Sequence, residues 1–176
     1  MSTVDPVAFR HSVGQFATGI VVVTTPNGHA MTVSAFASVS LEPPLVLFCA
    51  EKIARFYDAV LEAGSWAVSI LPEDAEKTSR WLATRGRPMD GQLAGLAHHP
   101  GAATGAPVLD DALAVLECTT KAVYDGGDHS IVLGQVAAVS GPAKARDPLL
   151  HYAGRYRRLR PGKPGAQGSE GGRPPG

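Results

Sequence analysis

Charge of neither sign is in excess here: 16 Lys and Arg stand against 16 Asp and Glu in 176 residues. Such a surface offers no basic field for a phosphate backbone or an anionic membrane, so neither nucleic acid nor membrane is an expected partner. Long apolar runs are missing as well. The apolar stretches are much too short to span a bilayer, and the first residues lack a basic segment followed by an apolar core, so a soluble, cytoplasmic protein is expected. Cysteine is scarce: Cys49 and Cys118 each sit inside an apolar stretch. Two are too few for a CxxC-type metal site or a disulfide framework, and both read as core thiols of a reducing compartment. His98 and His99 are adjacent, as are Asp110 and Asp111, so neither pair has the i, i+4 spacing of a helical metal site and no metal is expected. P-loop, GxSxG and GxGxxG signatures are also absent, which leaves a Rossmann mode for a dinucleotide unsupported.

What is present, at 44% apolar residues, is enough for one core and one domain. Asp5 to Phe16 reads as a short helix, capped by Asp5, opened by Pro6 and carrying Phe9, Val13 and Phe16 on one face that should pack on the body. Strands are expected over 19–25, 31–40, 44–50 and 66–71, with a turn at Pro26, Asn27 and Gly28. Two longer strands, ALAVLECTTKAVYD and HSIVLGQVAAVS, are joined by Gly126, Gly127 and Asp128. Helices are expected from Ile53 to Leu61, from Glu73 to Leu82 and from Pro148 to Ala153. Arg85 to Leu109, rich in Gly, Pro, Ala and His, reads as a long loop over one face. The pattern as a whole is mainly β with short helices and suggests a closed or split antiparallel barrel. Residues 1–159 form the expected domain; 160–176 read as a disordered tail, since ten of the sixteen residues from Pro161 onward are Gly or Pro.

The stretch MTVSAFASVSLEPPLVLFCAEK admits two readings. As an ordinary strand, Thr32, Ser34, Ser38 and Ser40 would face water while Val33, Ala35, Ala37 and Val39 face the core. Solvated strand faces, however, usually mix in Lys, Glu or Arg, and here every outward residue is a small hydroxyl. Such a surface lets something flat approach the backbone, as a planar heterocycle with carbonyl and NH groups would.

The runs FATGIVVVTT, TVSAFASVSLEPPLVLFC, GDHSIVLGQV and PLLHYAGRY resemble, in order and spacing, the flavin reductase-like domain family over about residues 5–159. These are short-chain NAD(P)H:flavin oxidoreductases, typically the reductase partners of two-component flavin monooxygenases. The resemblance implies a homodimeric, FMN-binding type of split β-barrel with one flavin per subunit near the dimer interface. It further implies FMN or FAD as cofactor, NADH or NADPH as co-substrate, and a flavin-dependent oxygenase component as partner.

Residue by residue, the resemblance implies that Thr32, Val33 and Ser34 offer backbone groups to the isoalloxazine ring, with contacts from Phe36, Ala37 and Ser38. Glu51, Lys52 and Ile53 would meet the ribityl phosphate. Relatives often carry Ser or Thr just after this point; this chain has Ala54, so part of the phosphate grip falls to Arg55 or the backbone. His129, in the GGDH turn, would lie by the nicotinamide, and Arg155 and Tyr156 would help hold the dinucleotide. Each has a plainer reading: Lys52 as a solvated lysine, His129 as a strand-end residue, and Arg155 with its basic neighbours as the end of a helix. Two other functions stay open at this point, a non-catalytic flavin-binding protein and a split-barrel oxidase of the pyridoxamine phosphate type.

Overall fold

The computed structural model describes residues 4–141 and 146–159. In chain order the elements are α1 (Pro6–Val13), β1 (Thr18–Gly19), β2 (Val21–Thr24), β3 (Ala30–Val33), β4 (Phe36–Leu41), β5 (Pro44–Glu51), α2 (Arg55–Ala63), β6 (Ser65–Ile70) and α3 (Glu76–Ala83). They continue with β7 (His98–Pro100), β8 (Pro107–Leu109), β9 (Ala114–Gly126), β10 (His129–Ser140), β11 (Leu150–Tyr152) and β12 (Arg155–Arg157). Seven strands form one antiparallel sheet in the order β3-β2-β6-β9-β10-β5-β4. A three-stranded sheet, β1-β11-β12, and the β7-β8 pair flank it.

The apolar runs decide where the core lies. Trp66 and Phe48 meet edge to face with ring centroids 4.9 Å apart, enclosed by Val21, Val23, Val68 and Val132. Gly134 leaves room for this pair: a Cβ there would lie 2.2 Å from a carbon of the Trp66 ring, too close for any side chain. Ile20, Val22, Leu71, Leu82 and Leu149 form a second cluster that includes α3. Among the described residues no helix is long and apolar enough to cross a membrane.

Three expectations fail. The stretch 31–40 is two strands: β3 ends at Val33, β4 begins at Phe36, and they lie at opposite edges of the sheet. The change of edge takes place at Ser34 and Ala35, where the Ala35 carbonyl accepts from the Cys49 N–H at 3.0 Å. Alternation cannot detect such a crossing, and the expected core face does not form: Val33 is buried, but Ala35, Ala37 and Val39 are exposed. Residues 148–153 contain a strand rather than a helix, because Thr18 and Gly19 pair with His151 and Leu150 and the chain doubles back at Ala153 and Gly154, both at positive φ. Finally, α1 is capped as expected, Asp5 accepting from the Ala8 N–H at 2.8 Å, yet it buries nothing: Val7, Phe9, Val13 and the following Phe16 are exposed. The expected long loop over 85–109 carries the short β7-β8 pair near its end. The expectation for 160–176 lies outside the described residues.

Candidate active site

A cleft of about 440 Å³ opens where the chain changes edge, a volume suited to a small-molecule ligand. One wall is the end of β3 and the crossing, Met31 to Ala35. A second is the end of β5 with the lead into α2, including Cys49, Glu51 and Ile53 to Phe56. A third is the arm that follows α3, through Arg85, Gly86, Arg87 and Met89, with Gln92 behind it. His129, the first residue of β10, completes the lining and stands opposite Glu51 in the β5-β10 register.

Of the residues singled out from sequence, Thr32, Val33, Ser34, Glu51, Ile53 and His129 line this cleft, and Phe36, Ala37, Ser38, Lys52, Arg155 and Tyr156 do not. The reasons are local. Phe36, Ala37 and Ser38 belong to β4, beyond the crossing, where they pair with Phe48, Leu47 and Val46. The Lys52 ammonium is paired with Asp125 on the β9-β10 ribbon, a hydrogen bond that raises its pKa, while its backbone N–H donates to the Asp128 carbonyl at 3.0 Å. Tyr156 is turned toward α3: its hydroxyl is 2.8 Å from the Ser79 hydroxyl, and its ring lies under the Arg80 guanidinium at 4.7 Å. Arg155 is exposed on β12.

The arm supplies what sequence reasoning missed, Arg85 and Arg87. They sit in the run TRGRP, where Gly86 takes φ 78° and so lets the chain turn between two guanidinium groups. Arg87 is bound into the fold, donating to the Thr84 carbonyl at 2.9 Å and to the Ala30 carbonyl, while Arg55 donates to the Arg87 carbonyl. Desolvation, aided by the positive charge of Arg55, lowers the Arg87 pKa. Its Nε is buried without a hydrogen-bond partner. Gln92 holds the arm from beneath, accepting from the Ala30 N–H at 2.8 Å and donating to the Pro88 carbonyl at 2.9 Å. The sequence signal for this anchoring was weak, because irregular Gly- and Pro-rich chain carries no periodicity.

The remaining polar groups are fixed by neighbours. Thr32 donates its hydroxyl to the Ser79 carbonyl at 2.7 Å, which ties the β3 wall to α3. The His129 Nδ1 lies 2.7 Å from an Asp128 carboxylate oxygen; with Nδ1 as donor, Nε2 is left as the ring's other polar atom. That hydrogen bond holds the Asp128 carboxyl below its ordinary pKa. Burial pushes the Cys49 thiol up, so the sulfur at the cleft wall stays protonated at neutral pH and is a poor nucleophile. Arg55, Arg85 and Arg87 against Glu51 give the lining an excess of positive charge, suited to an anionic ligand, beside a wall of small residues that admits a flat one.

Comparison with known proteins identifies the family. The chain is 40% identical over 166 residues to the reductase subunit HsaB of a flavin-dependent monooxygenase from Mycobacterium tuberculosis (strain ATCC 25618 / H37Rv), covering 91% of this chain and 86% of that protein. The crystal structure of BorF, the flavin reductase component of a bacterial two-component tryptophan halogenase, superposes with a TM-score of 0.83 at 40% identity, covering 88% of this chain and 98% of that one. SgcE6, an NADH:FAD oxidoreductase of Streptomyces globisporus C-1027 solved in complex with NAD and FAD fragments, gives a TM-score of 0.84 at 37% identity and covers 92% and 98%. With residues 13–160 also matching the profile described as "Flavin reductase like domain", the chain belongs to the flavin reductase-like domain family.

Proposed function

We propose that the chain is an NAD(P)H-dependent flavin reductase whose cleft at the edge crossing holds FMN or FAD and whose reduced flavin serves a partner monooxygenase. The observation that carries this reading is the juxtaposition, in one cleft, of a small-residue wall at Thr32 to Ala35 with three arginines. The residues fit the group. The cleft has the volume of a small-molecule site, the arginines match its phosphate, and the buried Arg87 Nε is a polar atom whose hydrogen bond the protein leaves unmade.

A flavin held here would supply the redox chemistry, hydride transfer with the nicotinamide. The chain binds, orients and excludes water. Val33 and Ser34 offer backbone groups and little bulk at the ring, while Arg87 and Arg55 favour the anionic end. His129, oriented through Nδ1 by Asp128, presents Nε2 toward the carboxamide of the incoming nicotinamide. Cys49 stays protonated and takes no part. The protein has no acid-base task in this scheme, which agrees with a wall built from Thr, Val, Ser and Ala.

We extend the proposal to the architecture. Consecutive strands β3 and β4 at opposite sheet edges support a split barrel formed by residues 1–159 as one domain. Exposed apolar groups on α1 and at Val39, Leu41 and Val139 support a homodimer that covers them. The unpaired thiols Cys49 and Cys118 suit a reducing, cytoplasmic compartment. The deciding experiment is NADH and NADPH oxidation by purified protein with FMN, FAD or no flavin, followed by the absorbance of the reduced nicotinamide. Flavin-dependent oxidation is expected; flavin binding without it would leave a binding protein in place of an enzyme.

A further inference from the structure

Glu51 is an odd neighbour for a phosphate. Its carboxylate lines the same cleft as three arginines, and two of these are committed to the protein's own backbone: Arg87 to Ala30 and Thr84, Arg55 to the Arg87 carbonyl. Arg85 differs. A single nitrogen, Nη2, sits between both Glu51 oxygens at 2.7 and 2.9 Å. The pair therefore uses one corner of the guanidinium and not the parallel fork that makes Arg-carboxylate contacts strong. The Arg85 side chain is 77% exposed and that of Glu51 29%. Glu51 cannot travel far, because its backbone is paired in the β5-β10 ladder opposite His129. Arg85 sits on the arm after α3, where its long side chain can swing.

Resting on the reading of this cleft as a flavin site, we propose that Glu51 competes with the flavin phosphate for Arg85, holding affinity down so that reduced flavin is released. An entering phosphate takes Arg85 from Glu51, and its departure returns the guanidinium to the carboxylate. The exchange forms and breaks ion pairs only, so the opposing charge within the site tunes how long the ligand stays. It makes flavin a substrate that passes through, where an unopposed arginine would favour retention.

The test is titration of the full chain with FMN and with riboflavin, which lacks the phosphate, at low ionic strength. Glu51→Gln keeps the shape and removes the charge. It is expected to tighten FMN about fivefold, the scale of an exposed ion pair, and to leave riboflavin unchanged. Raising salt should shrink that gain. Arg85→Ala is expected to weaken FMN by a similar factor, again without moving riboflavin, and in that background Glu51→Gln should recover less. An unchanged or weaker FMN affinity in Glu51→Gln overturns the proposal, as does an Arg85→Ala protein that binds FMN like the parent. Riboflavin binding by the parent separates this from failure of the flavin reading, since a parent that binds neither ligand removes both.

Discussion

The two halves of the hydroxyl-rich segment share a composition and have opposite fates. In β3, Val33 is buried, Thr32 donates to Ser79, and the Ala30 backbone is held on both sides by Gln92 and Arg87. In β4, Val39 is about half exposed and Leu41 is 90% exposed, and among the described strands β4 is hydrogen-bonded to β5 alone. The same chain covers one half and leaves the other open. Small, polar-apolar alternation thus specifies a strand but not what lies on it, and the covered half became a wall of the cleft because α3 and the arm after it fold across.

The sharpest way to break this contrast is at Gln92, which is 2% exposed. Gln92→Leu leaves the Ala30 N–H without its acceptor in a buried place, at a cost of about 2 kcal/mol. Thermal melting should show it, whereas Ser38→Ala on β4 should stay within about 0.5 kcal/mol of the parent. Equal melting of the two variants would mean the arm does not hold β3.

Next in size is the crossing itself. Ser34→Leu places a large side chain in the cleft at an exposed position, so folding should persist while FMN affinity falls at least about tenfold, or roughly 1.4 kcal/mol. Unaltered affinity in a folded variant would move the ring away from this wall. His129→Ala should raise the KM for NADH several-fold, on the order of 1 kcal/mol for one positioned hydrogen bond, with flavin affinity and melting close to the parent. Loss of flavin instead would make it a structural residue of the β10 start. The smallest effect on the isolated fold is expected from Leu41→Asp, a surface change worth less than about 0.5 kcal/mol. Its signature should be in sedimentation, where the parent runs as a dimer and the variant shifts toward monomer; a variant that stays dimeric takes Leu41 out of the interface.

How much of this the sequence made legible depended on whether a residue's fate is settled locally. The N-cap at Asp5, the Gly126 to Asp128 turn and the apolar runs of β2, β5, β6, β9 and β10 are local signals, and all appear where expected. The exposure of α1 was not legible locally: an apolar stripe states that a face wants cover and says nothing about which chain provides it. Residues 148–153 look helical until β1 arrives to pair with them, and Arg85 and Arg87 sit in irregular chain with no period to mark them. For the candidate site, Thr32 to Ser34 and His129 of the motifs line the cleft, whereas Lys52 and Tyr156 are engaged by Asp125 and Ser79, partners distant in sequence that local patterns do not reveal.

The outer edge of β4 carries one more implication. Phe36 to Leu41 contains no charged residue, although an uncovered strand edge invites pairing with other chains and is commonly guarded by lysine. Its guard is geometric: a bulge between Ser38 and Ser40. Protection by shape does not weaken as salt rises, in contrast to protection by like charge. Deleting Val39 to straighten the bulge would therefore produce filaments or aggregates at any ionic strength, and restoring one residue at that point would be the cure.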